Sequence, residues 1–239
     1  MQRRRSLSRG TRGFLRMEAP SGARALLLAT CVVVTIAFGV QAHKPVAIDE
    51  SFPSPAQALR IEALAVSQVA YVELAAEAPE FWMTFDIVEP IDLFVSLGVP
   101  VLDRLADYRP RLAVIREPSG EEIATFDTAA TRTPERFYEP FTGTESWILM
   151  EETVSISEPG TYYIVASAPP DSADKLWVAV GRRESFGLSD VLSLPAIVRR
   201  VRVFHEVPQR GATMLEWAAL LGFAVLAAIV VLAAVQSSE

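Results

Sequence analysis

His43 and His205 are the two histidines of this 239-residue chain, and they stand near the two ends of the segment between its apolar runs. If an export signal is removed after Ala42, His43 becomes the first residue. Its amine and imidazole could then chelate one metal, which suits copper(II), and His205 could supply a second imidazole. The other reading is two unconnected histidines, since any domain has two ends. Carboxylates are plentiful, among them Glu50, Asp86, Asp92, Asp103, Asp107, Glu121, Glu122, Glu151 and Glu152, but no spacing selects an acid and a base at a working separation. Asp171 with Asp174, or Asp103 with Asp107, could offer oxygens to calcium, although no D-x-D-x-D-G loop is present. Histidines at the edges and the lack of a G-x-S-x-G elbow argue against a Ser-His-Asp hydrolase. Gly181-Arg-Arg-Glu-Ser-Phe-Gly187 is not a phosphate loop. A protein acting by binding is expected, with no catalytic residue assigned.

Aromatics give the second candidate. Residues 127–145 read as a long loop, and such loops in compact domains are often functional. Phe137, Tyr138 and Phe141, with nearby Trp147, are expected to form a surface for a protein or glycan, with core packing as the alternative.

Positioning begins with topology. Residues 1–42 carry seven arginines and one glutamate, and an apolar run from Ala25 to Val40 ends in Val40-Gln41-Ala42. Sixteen apolar residues make about 24 Å of helix, short for a bilayer of about 30 Å, so a cleaved export signal is expected. Cys31, the one cysteine, lies within it and leaves no disulfide framework. Trp217–Val235 is nineteen residues without a charge, the length of one membrane crossing, with Trp217 as the interfacial aromatic. The arginine-rich start places its own side in the cytoplasm and residues 43–212 outside, giving a single-pass protein after cleavage. Residues 43–212 hold 15 basic and 26 acidic residues, a net charge of −11 that argues against nucleic acid as a partner.

Between the apolar runs, short β-branched and aromatic stretches recur every 8–12 residues between turn signals, the spacing of an antiparallel β-sandwich. Strands are expected near 68–74, 80–87, 91–97, 111–116, 121–126, 146–151, 160–168 and 175–181. Phe81, Met83 and Phe85 share one face, as do Leu93, Val95 and Leu97, and these faces should make the core. Pro118-Ser-Gly120 and Glu158-Pro-Gly160 punctuate hairpins. The expected divisions are 1–42 signal, 43–66 lead-in strap, 67–181 sandwich, 182–212 amphipathic segment and 213–239 anchor with its tail.

The run Val69-Ala-Tyr71-Val-Glu73-Leu74, the strand Phe81 to Asp86, the strand Asp92 to Leu97, then Arg111 to Ile115 leading to Pro118-Ser-Gly-Glu121, and finally Pro159-Gly-Thr-Tyr-Tyr-Ile-Val165 resemble the pre-peptidase C-terminal domain family. The resemblance covers about residues 67–181. It implies a secreted, jelly-roll-like all-β sandwich similar to carbohydrate-binding modules.

Ser189–His205 breaks the strand pattern. Val191, Leu194, Val198 and Val201 recur at helical spacing, with Ser189 placed to cap and Pro195 within. Arg199, Arg200 and Arg202 precede the anchor. They are expected either to meet lipid headgroups or to pair with the domain's own acids on a helix that closes the sandwich. Three functions follow: a membrane-anchored binding module, a copper protein using His43 and His205, or an accessory subunit of a membrane complex.

Overall fold

The computed structural model describes residues 43–130, 133–140, 142–183, 185, 188–208 and 222, with helix side chains from Ser193 on. Residues 1–42, Phe141 and, apart from Gly222, Trp217–Val235, for which the sequence raises expectations, lie outside these. Among the described residues no helix is long and apolar enough to cross a membrane.

Eleven strands build two sheets: β1 Lys44–Ile48, β2 Leu59–Arg60, β3 Gln68–Glu73, β4 Glu80–Ile87, β5 Ile91–Pro100, β6 Arg111–Arg116, β7 Glu121–Asp127, β8 Glu135–Glu139, β9 Thr144–Ile156, β10 Gly160–Ser167 and β11 Lys175–Val180. One sheet runs β1-β3-β11-β5-β9-β8 and the other β2-β4-β10-β6-β7. Pairing is antiparallel except where β1 joins β3 and β2 joins β4. The eight expected strands are present, and the fold is mostly β, arranged as a sandwich.

Three strands fall where none was expected. The 43–66 lead-in adds β1 to the edge of the six-stranded sheet and β2 to the edge of the other, so it belongs to the sandwich. The 127–145 loop contains β8, held on β9 from Glu135↔Ile148 to Glu139↔Thr144. Neither β1, β2 nor β8 alternates apolar and polar residues cleanly. Edge strands need only one paired side, and backbone hydrogen bonds suffice to place them.

Phe81, Met83, Phe85, Leu93, Val95, Leu97, Leu112, Val114, Tyr162 and Ile164 meet in the main core, as their alternation predicts. Burial of side chains of this size contributes about 1.5–3 kcal/mol each. The sheets differ on their outer sides. β4 alternates buried and less buried positions, whereas all six residues of β11 are buried. A strand buried on both faces loses its alternation and reads as a continuous apolar run, as Leu176-Trp-Val-Ala-Val180 does.

The cover on the six-stranded sheet is helix α1, Leu188–Phe204, with Pro195 inside it. Val198, Val201 and Phe204 are fully buried. Phe204 and His205 pack on Tyr71 of β3, with ring centroids 5.2 and 5.6 Å away. On the same sheet face Val69, Trp177 and Ala179 form a second small core, with Tyr71 and Ile148 at its margin. Trp177 lies opposite Gly98 in the β11–β5 register, and a Cβ on Gly98 would come within 2.2 Å of the indole. Glycine is therefore required by the close approach of the ring.

The C-terminus of α1 is closed by a left-handed residue, Glu206 at φ 57°. Glu206 N–H donates to the Val203 carbonyl and Val207 N–H to the Arg202 carbonyl, at 3.0 and 2.9 Å, which is a Schellman closure. Glycine is the usual residue there. Glutamate holds the position with its side chain bonded to Arg104 and to Lys175. Arg104 also grips Asp174, so this network ties the helix end to the sandwich.

Candidate functional site

The residues singled out from the sequence fall into separate places. His43 precedes β1, and its Nδ1 lies 2.5 Å from the Ser67 hydroxyl, with its pKa lowered by burial. His205 is buried beneath the end of α1. Its Nδ1 lies 2.8 Å from the Val201 carbonyl, and its Nε2 3.1 Å from Ser146 Oγ. A carbonyl only accepts, so Nδ1 carries the proton and Nε2 accepts from the serine hydroxyl. The lone pair a metal would need is thus directed at Ser146. Among the described residues no group of three or more His, Cys, Asp or Glu side chains is placed to hold a metal.

The aromatic surface divides as well. Phe137 and Tyr138 are exposed on the edge strand β8, Tyr138 at 56%. Trp147, on β9, packs against the main core, with the Arg136 guanidinium 5.8 Å from its ring centre. It serves the core, which is the alternative reading of that patch.

The arginines before the anchor do not act as one cluster. Arg202 is buried, donating at 2.9 and 2.8 Å to the carbonyls of Thr142 and Pro208. Arg200 donates to the Ile48 carbonyl and lies 3.7 Å from Glu50. Arg199 is exposed. The helix packs on the domain, as the second expectation for it had it, although its arginines mainly meet backbone carbonyls. Helical spacing fixed its apolar face but could not show which carbonyls tertiary packing would bring near.

With one broad face covered by α1, the outer face of the five-stranded sheet is the other. Its side chains come from the outward positions of β4, β10, β6 and β7. Tyr163 stands opposite Thr84 on one side and Ile115 on the other, and Val165 stands between Trp82 and Ala113. Thr125 lies opposite Ala113. Trp82 and Tyr163 meet edge to face, with ring centroids 5.5 Å apart at 78°. The indole is anchored at its polar end. Trp82 Nε1–H donates to Glu80 at 3.0 Å, and the Tyr163 hydroxyl is pushed above the usual phenol range by burial and by the neighbouring Glu117 carboxylate.

Charge on this face is arranged in pairs. Arg60 binds Asp86, which also accepts from Thr161 at 2.6 Å. Arg111 reaches Glu122 at 2.7 Å, and Thr125 donates to the same carboxylate at 2.6 Å. Asp86 is held below the usual carboxylate range chiefly by its hydrogen bond from Arg60, and Glu122 by those from Thr125 and Arg111. The arrangement can do two things chemically: stack a flat apolar ring on fixed aromatics, and accept hydrogen bonds at carboxylates already ionised. The sequence carried the signal for it. Once Phe81, Met83 and Phe85 face inward, Trp82 must face outward, and a large aromatic there has no place in the main core.

Neither a family model nor a curated protein matches the chain. Among solved structures it is similar to the pre-peptidase C-terminal domain of a Bacillus anthracis collagenase, at 13% identity and a TM-score of 0.34, over 52% of this chain and 93% of that one. This is the family whose motifs the sequence resembles. It is also similar to a carbohydrate-binding module described for specific mannan recognition, at 12% identity and a TM-score of 0.35, over 48% of this chain and 71% of that one. A surface-associated copper-binding protein of Methylomicrobium album BG8 is similar at 12% identity and a TM-score of 0.28, over 57% of this chain and 99% of that one. The fold assignment stands on the strand pairing itself.

Proposed function

We propose that the chain is an exported binding module held at a membrane, with its sandwich outside the cytoplasm. The observation that carries the binding reading is the inequality of the two sheets: α1 covers the outer side of one, and the other presents Trp82 and Tyr163 beside ordered carboxylates. The tether is read from sequence. The arginine-rich start and its apolar run supply export, and Trp217–Val235 supplies the anchor. The exported domain contains no cysteine, so a single introduced thiol reports its compartment.

The experiment replaces exposed Val88 with cysteine in the full chain expressed in a Gram-negative host and removes Cys31 by Cys31→Ala. Labelling by a membrane-impermeant maleimide in spheroplasts, from a fraction resistant to carbonate extraction, is expected. Deletion of residues 217–235 should then release the labelled domain in soluble form. Labelling confined to lysed cells, or release of the intact chain by carbonate, overturns the reading.

A further inference from the structure

We propose that the outer face of the five-stranded sheet binds an uncharged oligosaccharide seated across Trp82 and Tyr163. This rests on the reading of the domain as an exported binding module, and adds the place and the chemistry of its ligand.

The aromatic pair comes first. Trp82 and Tyr163 stand on adjacent strands, β4 and β10, at outward positions where the main core makes no use of them. Trp82 is fixed at its polar end by Glu80, and the two rings brace each other edge to face at 5.5 Å. Rings already held in place lose little freedom when a ligand settles on them. A pyranose presents one face of C–H bonds, which packs on an aromatic ring while its hydroxyls point sideways.

The floor around the pair is low. Thr84, Ala113, Thr161, Val165 and Ser167 flank it with small or short side chains, and Ile115 stands beside Tyr163 on β6. Five strands about 4.8 Å apart make a face roughly 20 Å across, room for several sugar units.

Charge then selects the ligand class. Arg60, Arg111 and Arg116 are each in an ion pair, with Asp86, Glu122 and Glu158. An anionic polysaccharide would have to displace those carboxylates and approach a segment of net charge −11. Glu80 and Glu117 have acceptor capacity to spare and suit hydroxyl donors. An uncharged polyol satisfies them without introducing a buried charge.

The test is calorimetric titration of the full chain in a detergent without a sugar headgroup. The probes are the neutral hexasaccharides of β-1,4-glucose, β-1,4-mannose, β-1,3-glucose and α-1,4-glucose, with oligogalacturonate as the anionic comparison. Binding of at least one neutral probe is expected, weakened about tenfold or more by Trp82→Ala and by Tyr163→Ala. Phe137→Ala and Tyr138→Ala should leave it unchanged. Thr84→Arg keeps both rings while crowding the floor, and serves if an aromatic variant fails to fold. Binding of no neutral probe, tighter binding of oligogalacturonate, survival of binding in Trp82→Ala and Tyr163→Ala, or its loss in Tyr138→Ala each overturns the site. Absence of sugar binding with correct maleimide labelling removes the site and leaves the export and tether intact. Labelling only in lysed cells removes the tethered module itself.

Discussion

Ser146 donates its hydroxyl to Nε2 of His205 at 3.1 Å, across 59 positions of sequence, and this joins the last turn of α1 to strand β9. The imidazole is neutral in this arrangement, and burial lowers its pKa from 6.5 to about 4. Burial is the main cause, and nearby Lys175 adds to it. Between about pH 4 and 6.5 the unfolded chain therefore binds a proton that the folded chain refuses. Stability from this group is complete above pH 6.5 and is lost as pH falls toward 4, by about 3 kcal/mol at the lower end. Urea unfolding at pH 7.0, 5.5 and 4.5 should show this slope, and His205→Gln should flatten most of it. An unchanged slope in the variant would place the titrating group elsewhere.

Gly98 tolerates no side chain. A Cβ there meets Trp177 Cζ2 at 2.2 Å and the Trp147 carbonyl oxygen at 2.5 Å. The backbone oxygen cannot swing aside as a flexible side chain can, so Gly98→Ala should cost about 1–3 kcal/mol or more. Thermal unfolding of the variant measures it, and a loss under about 0.5 kcal/mol would mean the indole does not lie over β5.

Glu206 combines a left-handed backbone with two cationic partners. Its carboxyl is held down to about 2, first by the hydrogen bonds from Arg104 and then by that from Lys175. The pair with Arg104 is 42–44% exposed, so it is worth at most about 1 kcal/mol and should weaken with salt. Both Glu206→Ala and Glu206→Gly lose it, but glycine adopts φ 57° freely. The glycine variant should therefore be the more stable of the two by about 1 kcal/mol. Equal stability in chemical denaturation would show that the helix end does not hold this conformation.

What the sequence disclosed and what it withheld divide along the two faces of the sandwich. Alternation at Phe81, Met83 and Phe85 gave the main core because one period describes a strand buried on one side. It failed for β8 because Glu135-Arg-Phe-Tyr-Glu139 is an edge strand held by backbone pairing. The apolar spacing of α1 was visible, yet its target was not, since His205, Ser146 and Tyr71 meet only through contacts distant in sequence. Trp82 could have been found from the alternation that placed Phe81 inward. Tyr163 gave no such hint, because Tyr162 beside it carries the same type of ring on the opposite face, stacked on Phe85 in the core.

The measurement that bears most directly on a sandwich with one covered and one open side is hydroxyl-radical footprinting of the full chain in detergent, read residue by residue. Trp177 at 6% exposure should be protected, while the half-buried Trp82 and Tyr163 should be oxidised faster than it. Oxidation of Trp177 as fast as Trp82 would contradict the account, because α1 would then not cover its sheet.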